Sequence, residues 1–171
     1  MNLNSFIIID YRDVRTGSLL LIDDNIYKVL EFHRSAPGKH GGSKLFVKVL
    51  NLITYEQKDV VFRWNDTLRE PHITRKEYII NEMDMEMGNL VLTNDKDEKV
   101  QGIKLHDNEL CNKLKQQFEQ KINNNNDNDK EFTIQIIHFM DKVIIEDYKI
   151  RTVKVVYYPK PDTSDFNQIN I

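Results

Sequence analysis

Short stretches in which apolar and polar residues alternate, closed by Gly, Asn or Asp, run through most of the chain. A period of two marks half-buried strands. The pattern predicts strands over Gly17–Ile22, Ile26–His33, Lys44–Leu52 and Lys58–Arg63, with Leu45, Val47 and Val49 on one face of the third. Asp23-Asp24-Asn25 reads as a turn, because such side chains bond their own backbone and tolerate left-handed geometry. Thr54–Gln57 reads as another. Tyr78–Glu82 is predicted to close this first unit. Several short strands within residues 1–82 suggest a small barrel, since closure removes exposed edges.

A second strand-rich unit starts at Met83. Asn89–Thr93 and Lys99–Lys104 flank a turn at Asn94–Glu98. Asp107 or Asn108 suits a helix N-cap, and Leu110, Leu114 and Phe118 follow at helical spacing, so one helix is predicted to end by Ile122. Residues 123–129 are a low-complexity Asn/Asp run that reads as a mobile loop. Strands are predicted over Glu131–Met140 and Thr152–Tyr158, with Pro159 and Pro161 ending the last. Strands, one helix, then strands is the order of an OB-fold barrel. The expected organisation is mostly β: one domain over residues 1–82, an OB-fold domain over 83–160 and a flexible tail over 161–171.

Composition narrows the function classes. Of 171 residues, 40% are hydrophobic and 30% charged, which suits a buried core beneath a solvated surface. No apolar run approaches the roughly 20 residues that span a bilayer, so no membrane association is expected. Met1–Asp10 has no basic lead and no small-residue cleavage site, and does not read as a signal peptide. The chain is weakly acidic overall, with 27 Asp and Glu against 24 Lys and Arg. Residues 1–82 nevertheless hold 12 basic and 11 acidic residues. The window Phe32–Tyr55 contains no acidic residue and carries Arg34, Lys39, Lys44 and Lys48. A local positive field on an acidic protein points to a polyanion met at one end only.

Within that window lies Pro37-Gly38-Lys39-His40-Gly41-Gly42, between two predicted strands. The glycines permit positive φ and keep side chains off the tip, leaving Lys39 as an ammonium on a long stem that can reach a phosphate or be covalently modified. On spacing alone, a plain turn with a solvated lysine is the commoner outcome. The P-loop order is absent, and a hairpin lacks the helix N-terminus a nucleotide phosphate uses. Histidines 33, 40, 72, 106 and 138 show no zinc-ligand spacing, and no metal is expected. Cys111, the single cysteine, reads as a helix residue with no evident catalytic partner. No catalytic residue and no enzymatic activity are expected; a hydrolase using Cys111 is a remote alternative. Asp84, Glu86, Asp95, Asp97 and Glu98 read as a solvated acidic face. Phe132, Phe139, Tyr157 and Tyr158 read as barrel core in preference to base-stacking residues.

Ser35–Lys44 resembles the modified-lysine loop of the eukaryotic translation initiation factor 5A family, the hypusine-containing factors. Pro71–Tyr78 is similar to the family's P-x-I-x-R-x-x-Y linker strand, and Gly17–Glu31 to the opening hairpin shared with elongation factor P. The loop departs from the family pattern at Pro37, where threonine is usual, and at Gly42, where a second histidine is common. Pro37-Gly38-Lys39 and Val60–Arg63 lean towards elongation factor P. The resemblance covers about residues 13–145 and implies an SH3-like barrel followed by an OB-fold barrel. It implies a non-enzymatic translation factor at the ribosome, with rRNA and peptidyl-tRNA as partners. It implies no cofactor beyond hypusine on Lys39, built from spermidine by deoxyhypusine synthase and deoxyhypusine hydroxylase. Gly38, Lys39, His40, Gly41, Arg34 and Lys44 would contact tRNA or ribosome. A cytoplasmic location is expected, with an organellar ribosome and a homodimer left open. An RNA-binding module or RNA chaperone that works through the OB-fold without lysine modification is the alternative.

Overall fold

The computed structural model describes residues 5–35, 42–124 and 129–153. The first six strands are β1 (Phe6–Ile9), β2 (Leu19–Ile22), β3 (Asn25–Ser35), β4 (Lys44–Asn51), β5 (Gln57–Arg63) and β6 (Leu68–Pro71). The second half contains β7 (Thr74–Met83), β8 (Asn89–Thr93), β9 (Lys99–Lys104), the helix α1 (Glu109–Asn123), β10 (Lys130–Phe139) and β11 (Lys142–Thr152). The fold is mostly β with one helix: an SH3/KOW-like barrel followed by an OB-fold. No helix among the described residues is long and apolar enough to cross a membrane.

In the N-terminal barrel β2, β3, β4 and β5 form an antiparallel meander, and β1 pairs with β6 as a separate ribbon. Asp23 and Asp24 take φ of 49° and 59°, the doubly left-handed geometry of a tight hairpin turn. Leu45, Val47 and Val49 point inward as the alternation predicts, joined by Leu20, Tyr27, Val29 and Leu68. β2 reads Leu19-Leu20-Leu21-Ile22 without alternation because both of its faces are covered, the condition under which strands become continuously apolar. Leu20 enters the barrel core, while Leu19 and Leu21 turn the other way, towards the second barrel.

The second sheet runs β11-β10-β7-β8-β9. α1 lays Leu110, Cys111, Leu114 and Phe118 on it, with Phe118 edge-on to Phe132 at 5.2 Å. β10 is again covered on both faces. Phe132, Ile134 and Ile136 face α1, whereas Ile137 and Phe139 join Ile144, Leu19, Leu21, Ile26 and Leu52 in a seam between the barrels. Polar contacts pin the same seam. Asn108, the N-cap of α1, accepts the Cys111 N–H at 2.8 Å and donates from Nδ2 to the Ile53 carbonyl at 2.8 Å. Glu146, almost fully buried, accepts from Arg75 Nε at 2.7 Å and Nη2 at 3.1 Å, with Lys28 of the first barrel 3.9 Å away.

Three expectations change. Tyr78–Glu82 does not close the first unit: it lies inside β7, hydrogen-bonded between β10 and β8, and Tyr78 and Ile80 sit in the second core. The crossing between barrels is therefore at His72–Ile73, not after residue 82. The first barrel is completed instead by the β1–β6 ribbon, whose Ile7 and Ile8 remain exposed and so gave no alternation to read. Lastly, β11 occupies residues 142–152, ahead of the strand expected at Thr152–Tyr158. Glu146 is an extra residue in that strand, since Gln135 faces Asp147 and Ile136 faces Ile145. Such a bulge breaks the period of two and hides the strand from an alternation rule. Residues 154–158, the Asn-rich run at 125–128 and the expected tail at 161–171 lie outside the described residues.

Candidate functional site

The segment that carries Lys39 connects β3 to β4. Pro37, Gly38, Lys39, His40 and Gly41 lie outside the described residues, but both strands that deliver them are described. The ladder reaches the pair Ser35 and Lys44. There the Lys44 N–H also donates to Ser35 Oγ at 3.1 Å. The third strand supports this end. Arg63 lies opposite Lys44, and the next residue, Trp64, donates its N–H to the Ser43 carbonyl at 3.0 Å.

The two remaining candidate residues have different fates. Arg34 is tied down: its Nη2 donates to the Val14 carbonyl at 2.6 Å and the Arg12 carbonyl at 2.9 Å, and its guanidinium lies 4.6 Å from the Phe32 ring centre. It braces the β1–β2 connection against β3. Lys44 is exposed and makes no salt bridge among the described residues.

The acid-free window of the sequence is therefore acid-free at one end only. Lys48 pairs with Glu31 at 3.7 Å and faces Asp59 across the ladder. Positive charge survives at the loop end, on Lys44 and Arg63. Asp66, the nearby carboxylate in the turn after Arg63, accepts the Arg63 N–H at 2.7 Å. Arg63 enters the sequence reading only as the end of the Val60–Arg63 run, and Trp64 only as the single tryptophan.

Other candidate groups do not converge. No cluster of His, Cys, Asp and Glu among the described residues could hold a metal. His106 contacts the Val143 carbonyl at 3.2 Å, and His33 lies beside the Phe46 ring. Burial pushes the Cys111 thiol above its ordinary pKa, which opposes the thiolate a nucleophile needs. Phe132 and Phe139 are core residues, 1% and 3% exposed; Tyr157 and Tyr158 lie outside the described residues.

The fold is a KOW-like barrel joined through an apolar seam to an OB-fold, and the glycine- and lysine-bearing segment of the sequence connects β3 to β4. Residues 10–68 match the elongation factor P KOW-like domain. Elongation factor P of Ruminiclostridium cellulolyticum is 33% identical over 75 residues, covering 43% of this chain and 40% of that protein. Translation initiation factor 5A of Korarchaeum cryptofilum is 31% identical over 64 residues, covering 37% of this chain and 48% of that protein. The matched stretch thus spans less than half of either relative. Among solved structures, a translation initiation factor 5A family protein from Naegleria fowleri superposes with a TM-score of 0.64 at 19% identity, covering 85% of this chain and 99% of that one. Residues 10–68 thus match the elongation factor P KOW-like domain, and the chain is similar over that stretch to both elongation factor P and translation initiation factor 5A.

Proposed function

We propose that this protein is a translation factor that binds the ribosome beside peptidyl-tRNA and promotes peptide-bond formation where it stalls, as at consecutive prolines. Lys39 is the acting residue, lengthened to hypusine by deoxyhypusine synthase and deoxyhypusine hydroxylase. Gly38, His40 and Gly41 shape its approach, and Lys44 adds charge behind it. The reading rests on one observation: the stretch matching the elongation factor P KOW-like domain, residues 10–68, contains the whole Lys39 hairpin. The chemistry is positioning and electrostatic. A cation placed beside the reacting ends favours their productive geometry, and the factor makes and breaks no bond itself. Unpaired charge at the loop end favours rRNA and tRNA phosphates, which fix register without reading sequence.

The experiment is peptide mass spectrometry on protein purified from its native cell, combined with co-sedimentation on ribosomes. The reading predicts a Lys39 peptide heavier by a hydroxylated aminobutyl group, and sedimentation with ribosomes. An unmodified Lys39 removes the hypusine step, and failure to sediment removes the ribosomal function.

A further inference from the structure

The outer face of the N-terminal sheet carries an arrangement that the Lys39 hairpin alone does not account for. Trp64 is 61% exposed although it is the only tryptophan in the chain. Its pyrrole edge rests against Gly42: a Cβ built on Gly42 would fall 2.0 Å from Trp64 Cδ1 and 2.2 Å from Nε1. With the indole in this position, a side chain at 42 would have to displace it. Beside Trp64 stand Lys44 and Arg63, opposite each other on β4 and β5. Both are exposed and neither has an ionic partner among the described residues.

Two residues further along the same strands, about 7 Å at strand rise, come Phe46 and Val61, paired with each other and 40% and 49% exposed. His33 lies beside Phe46 with ring centres 6.2 Å apart. Phe46, Val61 and His33 line one side of a shallow groove of about 440 Å³, whose other side is Glu31, Lys48 and Asp59. The next row, Glu31, Lys48 and Asp59, is acidic on balance. Aromatic surface, a cation pair, aromatic surface again and then an acidic stop is the pattern of a short single-strand nucleic-acid track.

We propose that Trp64, Lys44, Arg63, Phe46 and His33 form a binding track for an unpaired stretch of RNA about two nucleotides long. One base stacks on Trp64, its phosphate lies between Lys44 and Arg63, and the next base lies over Phe46 and His33. The acidic row sets where the strand must leave. Assignment of the strand to RNA rests on the translation-factor reading; the track itself rests on the sheet face.

Trp64 fluorescence tests this directly, since no other tryptophan contributes. The full chain is titrated with a short oligoadenylate and, separately, with an abasic phosphodiester of the same length. The track predicts saturable quenching by the oligoadenylate and none by the abasic strand. It predicts weakening of about tenfold in the Trp64→Phe variant, followed by anisotropy of labelled RNA, from the smaller stacking surface. Lys44→Gln and Arg63→Gln should each flatten the slope of log affinity against log salt by about 0.7. No quenching by the oligoadenylate, or equal quenching by the abasic strand, overturns the proposal.

A second measurement separates this proposal from the reading it rests on. In a proline-stalling translation assay with limiting factor, Trp64→Phe is expected to reduce rescue about tenfold and Trp64→Leu to reduce it further, both at unchanged Tm. If Lys39→Arg abolishes rescue while Trp64→Leu is silent, the translation reading stands and the track falls. If the fluorescence titration succeeds while Lys39→Arg rescues normally, the track stands and the Lys39 reading falls.

Discussion

Ile137→Ala tests whether the two barrels are one cooperative body. Ile137 is fully buried in the seam, on the face of β10 that meets Leu19, Leu21, Ile26 and Leu52 of the first barrel. The substitution removes methyl and ethyl branches, worth about 2.4 kcal/mol by transfer at about 0.8 kcal/mol per carbon. The unfilled space adds to this, and Ile→Ala changes at such sites fall at about 2–5 kcal/mol in all. A cost of about 3 kcal/mol is therefore expected. For a chain of this length that corresponds to a fall in Tm of roughly 6–12 °C. The chain carries its own reporters: Trp64 lies in the first barrel and α1 belongs to the second. If the seam couples the barrels, Trp64 emission and the helical circular-dichroism signal melt together in wild type and shift together in the variant. A helical transition that falls while the Trp64 transition stays put would refute the coupling.

Asn108→Ala removes both the acceptor for the Cys111 N–H and the donor to the Ile53 carbonyl; urea denaturation should show a loss of about 2 kcal/mol. Cys111, 1% exposed, should resist alkylation in the native protein and react only on unfolding, which mass spectrometry after iodoacetamide treatment would show. Asp10 is held at a pKa of about 2 by hydrogen bonds from the Arg12 side chain and backbone, against an ordinary value of 3.8. Because the folded value is the lower one, its contribution is complete above about pH 4 and is lost as pH falls towards 2. NMR titration of the Asp10 carboxyl should give the low value, and Arg12→Ala should return it towards the ordinary one.

What could be read in the chain depended on whether local pattern and tertiary environment agreed. β3, β4 and β5 show alternation because one face of each is inside a barrel, and Asp23-Asp24 specifies its own turn. α1 is bounded by its cap and its apolar spacing. β2 and β10 were read as strands too, but their continuous apolar runs are explained only by the seam, which buries their second face. β11 was hidden by the Glu146 bulge, whose purpose appears only when Arg75 and Lys28 arrive from elsewhere in the chain. Around the candidate site, the pairing of β3 with β4 on either side of the Lys39 segment was legible. The sorting of its cations was not: Lys48 is neutralised across the strands, Arg34 is spent on backbone carbonyls, and Arg63 and Trp64 join the site only through strand register.

The central claim is that Lys39 acts on stalled peptide-bond formation. The most direct measurement is the yield of full-length product from a consecutive-proline message in reconstituted translation, with modified wild-type protein and with Lys39→Arg. The account predicts that wild type restores the yield, while Lys39→Arg, with an unchanged melting curve, leaves it at the level seen without factor. Equal rescue by both proteins would contradict it.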